Sequence, residues 1–115
     1  KDYVESMWKI LQYRKPDDWV IATNEEMTVK EFINKCAKKL NINLQWKNKG
    51  IKEVAVDKDS KKVIIKIDKK FFRPGEVDFL KGDYSKAKKL LKWKPKYRSE
   101  DLINDMIKYE IDLYE

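Results

Sequence analysis

The stretch Glu53-Val54-Ala55-Val56-Asp57-Lys58-Asp59-Ser60-Lys61-Lys62-Val63-Ile64-Ile65-Lys66-Ile67 decides the fold class. Two runs rich in β-branched residues, Glu53 to Val56 and Val63 to Ile67, flank a polar stretch from Asp57 to Lys62. β-branched side chains suit a pleated, half-buried surface, and a short polar break between two such runs reads as a hairpin. Asp57, Asp59 and Asp68 sit in or beside turns. Their spacing lacks the ligand pattern of a calcium loop, so turn chemistry accounts for them.

Working towards the N-terminus, Leu44-Gln45-Trp46-Lys47 alternates like a further strand, and Asn41 to Asn43 breaks a helix in front of it. That helix opens on a capping box, Thr28-Val29-Lys30-Glu31, in which the Thr28 hydroxyl takes the Glu31 amide and the Glu31 carboxylate reaches back. It is expected to bury Phe32, Ile33, Cys36, Ala37 and Leu40. Cys36 thereby reads as a small core residue. Further out, Asp2 to Tyr13 places Val4, Met7, Trp8 and Leu11 at helical spacing. Pro16-Asp17-Asp18 ends that helix, and Trp19-Val20-Ile21-Ala22 is an apolar run of the kind buried in a parallel sheet. A strand so apolar cannot lie at a solvent edge, and the chain holds no parallel sheet to receive it. Lys1 already stands in helical sequence, so the chain is expected to be a fragment of a longer protein.

Towards the C-terminus, Phe71-Phe72-Arg73-Pro74-Gly75-Glu76 leads into a short helical turn that ends before Gly82. Asp83 can cap a helix carrying Ala87, Leu90 and Leu91, closed by Trp93 and Pro95. Ser99 is placed as the cap of a last helix whose Leu102, Ile103, Met106, Ile107 and Ile111 share one face. The expected fold is α/β: mixed short strands with about four to five helices, in one compact domain spanning 1–115. Trp8, Trp19, Trp46 and Trp93 all fall on apolar faces, and core is their default place.

Composition removes several function classes. The chain has 115 residues, 42% hydrophobic and 41% charged, which is enough apolar content for a modest core. Its net charge of +7 raises a nucleic-acid partner, but only Arg14, Arg73 and Arg98 are arginines, and the lysines are scattered among Asp and Glu. No nucleic acid is therefore expected. With no histidine and Cys36 as the one cysteine, a zinc site, a His-based triad and an internal disulfide are all disfavoured. The single thiol suits a reducing, cytoplasmic setting. Ser60 and Ser85 have no base nearby in sequence. The apolar runs are too short for a membrane span, so no membrane is expected as a partner. The only glycines are Gly50, Gly75 and Gly82, so no Gly-rich dinucleotide turn can be built.

Arg73-Pro74-Gly75-Glu76-Val77-Asp78 is where functional features coincide. Pro74 fits the first position of a helix, where its missing N–H costs nothing. Gly75 lets a ligand approach the backbone. The free N–H groups of a first turn would attract an anion, and Arg73 adds a fork for phosphate oxygens. Glu76 would accept hydrogen bonds from a pair of sugar hydroxyls. The same residues also read as a carboxylate favouring a helix dipole and a surface cation pairing with any nearby acid.

Lys1-Asp2-Tyr3-Val4-Glu5 with Met7-Trp8, the run Lys15-Pro16-Asp17-Asp18-Trp19-Val20-Ile21-Ala22-Thr23, Thr28 to Phe32, and Phe72 to Asp78 with Leu80, Gly82 and Asp83 together resemble the GDP-mannose 4,6-dehydratases. Lys86-Ala87-Lys88 through Leu91 with Trp93-Lys94-Pro95 is similar to extended short-chain dehydrogenases more broadly. The resemblance implies an NADP-dependent lyase that oxidises C4 of GDP-mannose, eliminates water across C5 and C6 and returns the hydride to C6. The product, GDP-4-keto-6-deoxymannose, feeds GDP-fucose synthesis. It also implies that this chain is the small C-terminal substrate-binding lobe, with the Rossmann part, the catalytic residues and the NADP site absent from it. The family's diphosphate-binding arginine maps onto Arg73 and its ribose-binding carboxylate onto Glu76. A homo-oligomeric intact enzyme is implied as well. Two departures stand out: Gly75 replaces a usual Thr or Ala, and Lys92 stands where a helix-ending Gly is usual. The runner-up readings are the lobe of another nucleotide-sugar epimerase or dehydratase, and a basic nucleic-acid module.

Overall fold

A computed structural model of the chain describes residues 1–73, 75 and 80–114. Among the described residues seven elements follow one another: α1 (Asp2–Leu11), α2 (Val29–Lys39), β1 (Leu44–Lys47), β2 (Val54–Asp57), β3 (Val63–Lys66), α3 (Ser85–Leu90) and α4 (Ser99–Tyr114), with 3₁₀ turns at Gly50–Lys52 and Lys69–Phe71. The mixture of strands and four α-helices is the α/β class expected. The chain divides into two compact units, one of Lys1–Glu26 with Phe79–Glu115 and one of Met27–Asp78.

The 27–78 unit is built on its antiparallel sheet, ordered β1-β2-β3. Trp46 pairs with Ala55 and Ala55 with Ile65, after which the register slips so that Val56 faces Val63. Ala55 is fully buried and Val56 nearly so, because β2 is the central strand and both its neighbours cover it. The Asp57 carboxylate closes the hairpin turn by accepting from the Ser60 hydroxyl at 2.6 Å and from the amides of Asp59 and Ser60 at 3.2 Å each. These bonds hold its pKa below the usual carboxylate range, the Ser60 hydroxyl contributing most. Thr28 and Glu31 form the reciprocal capping box at the start of α2. The helix is fastened to the sheet's elements by polar contacts: Trp46 Nε1 donates to Asn34 Oδ1 at 2.8 Å, and Lys30 Nζ meets Glu53 at 2.6 Å while lying 4.5 Å from the Trp46 ring centroid. Ala37 is the buried residue of α2, and Leu40, expected inside, is 43% exposed.

The other unit is centred on Ala87, Leu91 and Trp93, with Ile10, Tyr13, Trp19, Ile21 and Tyr84 packed against them. Trp19 to Ala22 carries no regular secondary structure and pairs with no strand among the described residues. Instead Trp19 stands edge-on to Tyr13 at 4.9 Å and under the Lys86 ammonium. Gly82 makes this packing possible: a Cβ there would lie 2.6 Å from the Ala22 Cβ. The N-cap of α3 is Tyr84, with no side-chain cap, and not Asp83 as expected; Asp83 stands one residue earlier and accepts from the Ser85 amide at 2.8 Å and hydroxyl at 2.6 Å.

Two further ends differ from expectation. The start of α4 is capped by Arg98, whose carbonyl takes the Leu102 amide and whose amide donates to Asp101 Oδ2, while the Ser99 amide donates to Glu25. After α3, Lys92 takes the left-handed conformation at φ 52°, and the Trp93 amide returns to the Ala87 carbonyl. This is the strained ending the missing glycine implies, and Lys9 Nζ holds the Lys92 carbonyl at 3.0 Å. The tryptophans also divide: Trp93 is 1% exposed and Trp19 and Trp46 are half-buried, but Trp8 is 62% exposed. Much of the apolar face of α4 is exposed too; Ile103 is its one buried residue among those described.

Candidate functional site

Arg73 follows directly from the hairpin unit. β3 ends at Lys66, and Asp68 then starts the 3₁₀ turn Lys69–Phe71 by accepting from the Lys70 amide at 2.9 Å. That turn spends the Asp68 carboxylate on the local backbone, so Lys69 and Lys70 point their charges outward without it. Phe72 continues in extended backbone, which carries Arg73 away from the turn with its side chain exposed. Phe71 and Phe72 are exposed beside it. Lys66, Lys69, Lys70 and Arg73 therefore form a run of exposed cations within eight residues.

Glu76, the second candidate, lies outside the described residues together with Pro74, Val77 and Asp78. Gly75 is described, in a turn at φ 85°. The short helical turn expected from Pro74 onward falls on residues outside the described ones, Gly75 excepted. The positive φ of Gly75 is one that glycine adopts freely and that Thr or Ala would resist. Arg73 remains a phosphate-binding candidate by its own guanidinium.

Among the described residues no glycine is placed as a dinucleotide site needs. Gly50 and Gly75 occupy turns at positive φ, Gly82 is consumed by packing on Ala22, and the sheet is antiparallel. None of the three follows a parallel strand into a helix, which is the arrangement that cradles a pyrophosphate. Among the described residues no group of three or more His, Cys, Asp or Glu is placed to hold a metal ion, and no helix is long and apolar enough to cross a membrane.

What sequence inspection overlooked is how the charge is distributed. The lysines look scattered along the chain, yet the 27–78 unit carries fourteen Lys and Arg against seven Asp and Glu, while the rest carries thirteen against thirteen. The whole net charge of +7 lies in the unit that bears Arg73.

Comparison with known proteins agrees with the residues that carry the resemblance. The family model described as GDP-mannose 4,6 dehydratase matches residues 1–106. The chain is 46% identical over 112 residues to a GDP-mannose 4,6 dehydratase of Drosophila melanogaster, covering 97% of this chain and 28% of that protein. It is 44% identical to the enzyme of that name from Dictyostelium discoideum, covering 97% and 32%, and 42% identical to the Homo sapiens one, covering 98% and 30%. The chain thus spans under a third of the length of these relatives. A match that runs from α1 into α4 leaves no doubt about kinship: the chain belongs to the GDP-mannose 4,6 dehydratase family.

Proposed function

We propose that the protein containing this chain is an NADP-dependent GDP-mannose 4,6-dehydratase, a lyase forming GDP-4-keto-6-deoxymannose, and that residues 1–115 are its substrate-binding C-terminal lobe. Membership of the family is the observation that carries this reading. Within the lobe, Arg73 binds the diphosphate and Glu76 the ribose hydroxyls. An exposed guanidinium at the end of a cationic run, with Asp68 turned onto its own backbone, suits a doubly charged phosphate group. NADP, the catalytic residues and the extended short-chain dehydrogenase core are assigned to the remainder of the protein, which is taken to act as a homo-oligomer.

The test is GDP binding and dehydratase kinetics on the full-length protein. A bidentate charge-assisted contact contributes about 3 kcal/mol, so Arg73→Ala should weaken GDP binding by about 10²-fold, and Arg73→Lys should recover only part of it. Glu76→Gln should raise KM for GDP-mannose while leaving diphosphate recognition in place. GDP affinity unmoved by Arg73→Ala would overturn the assignment. Residues 1–115 expressed alone should have no dehydratase activity.

A further inference from the structure

We infer that the 27–78 unit acts as an electrostatic collector, whose field draws the anionic nucleoside diphosphate to Arg73 and sets its association rate. The inference rests on the functional reading above and adds a role for lysines that need not touch the ligand.

A lysine-rich composition alone does not produce what is seen. It would raise the basic count on both units, whereas here the 27–78 unit has fourteen cations to seven anions and the remainder is balanced at thirteen to thirteen. The imbalance comes as much from missing carboxylates as from added lysines. Thirteen of the fourteen cations are exposed, Lys30 being half-buried and paired with Glu53. That is the one salt bridge of the unit among the described residues, so the field is not cancelled at short range. Two carboxylates that might oppose it are held by their own turns: Asp57 by Ser60 and Asp59, and Asp68 by Lys70. These anions still carry charge, but each is counted in the +7.

Lys58, Lys61 and Lys62 lie in the connection before β3, and Lys66, Lys69, Lys70 and Arg73 follow in the chain from its last residue onward. Screening at physiological salt cuts interactions beyond about 8 Å, so the summed charge of the unit acts furthest at low salt. Such fields raise association rates by about 10–10³-fold and leave dissociation nearly untouched, because the charges make no bond in the bound state. A polyanion is the other class of partner to which a basic unit answers. Family membership and the presence of Arg73 in this same unit favour the nucleotide.

The experiment is stopped-flow binding of GDP to the full-length protein. The wild type is compared with K58E/K61E/K62E, which takes the unit from +7 to +1, and with K58Q/K61Q/K62Q, which takes it to +4. These three side chains are exposed and make no side-chain hydrogen bond or ion pair among the described residues, and the graded pair, with stability checked by chemical denaturation, guards against a local effect of the acids. At about 20 mM salt the association rate should fall by about tenfold in the Glu variant and by an intermediate amount in the Gln variant. The differences should vanish at about 0.5 M, and the dissociation rate should stay constant. An association rate unchanged by the substitutions, or a loss confined to dissociation, overturns the collector while GDP binding itself upholds the functional reading. Failure of the wild type to bind GDP overturns both. A duplex oligonucleotide bound in a charge-dependent way, with GDP association unaltered, would reassign the field to nucleic acid.

Discussion

The two units of the chain use charge in opposite ways. In the unit formed by 1–26 and 79–115, cations and anions are equal in number and cross-link distant segments. Asp2 accepts from the amides of Lys96 and Tyr97, Lys96 pairs with Glu5 at 2.6 Å, Lys86 with Asp17 at 2.7 Å, and Arg98 bridges Glu25 and the Thr23 carbonyl. In the 27–78 unit one such pair is seen among the described residues, and cohesion falls to the sheet and the capping box. Charge committed to structure is charge withdrawn from a ligand. The balanced unit has the first use and the basic unit keeps the second open.

Substitutions should break the comparison unequally. The strongest is Trp93→Ala, which empties the centre of the balanced unit, removes the edge contact with Tyr84 and leaves the Asp2 carbonyl without its indole donor at 3.1 Å. A loss of about 3–5 kcal/mol is expected in chemical denaturation. Gly82→Ala comes next, at about 1–3 kcal/mol, because the new methyl meets a backbone-anchored Ala22 that cannot swing aside. A Gly82→Ala protein with unchanged stability would show that the packing of 19–22 on this glycine is not as tight as drawn. In the basic unit Thr28→Ala should cost about 1 kcal/mol, since no packed centre as large as Trp93 stands behind the cap. Lys92→Gly should stabilise, by about 0.5–1 kcal/mol, by relieving left-handed backbone at φ 52°.

Acidification acts last and most gently, and on both units: Glu31 and Asp57 of the basic unit also have lowered pKa values, chiefly through the Thr28 amide and the Ser60 hydroxyl respectively. Glu5, Asp17 and Glu25 have pKa values lowered chiefly by Lys96, by Lys86 and by the Ser99 amide respectively. Carboxylates depressed in the folded state stabilise it above their unfolded pKa, and that contribution disappears as pH falls through the folded values. The balanced unit should therefore lose stability below about pH 4. Asp17 and Glu25 are solvent-exposed and Glu5 is partly exposed, so salt should blunt the effect. At the alkaline end, the pKa of Lys96 is raised chiefly by Glu5, so its contribution is present below the ordinary lysine range and fades as pH passes the raised value.

Much of the fold was legible because its signals are local. The hairpin and the Thr28–Glu31 box each depend on residues a few positions apart, and both appear where the pattern places them. Trp19 to Ala22 was legible only as a need for burial, since an apolar run does not state which partner meets it; here α3 and Tyr13 meet part of it. Ser99 misled because Arg98 and Asp101 satisfy the helix start, freeing the Ser99 amide for Glu25. At the candidate site, Arg73 stood out by residue type alone, whereas the backbone of Gly75 could not be read, since glycine permits both signs of φ. The charge partition escaped notice because a linear scan cannot tell which lysines will share a unit.

The four tryptophans have a consequence of a practical kind. Trp46 belongs to the 27–78 unit, and Trp8, Trp19 and Trp93 to the other. Trp93 is enclosed, whereas Trp46 sits beneath an ammonium at 4.5 Å that should quench or shift its emission until Lys30 is released. A Trp46→Phe protein would make the remaining fluorescence a report on one unit alone. The molecule thus carries its own pair of optical labels, one for each half of its charge.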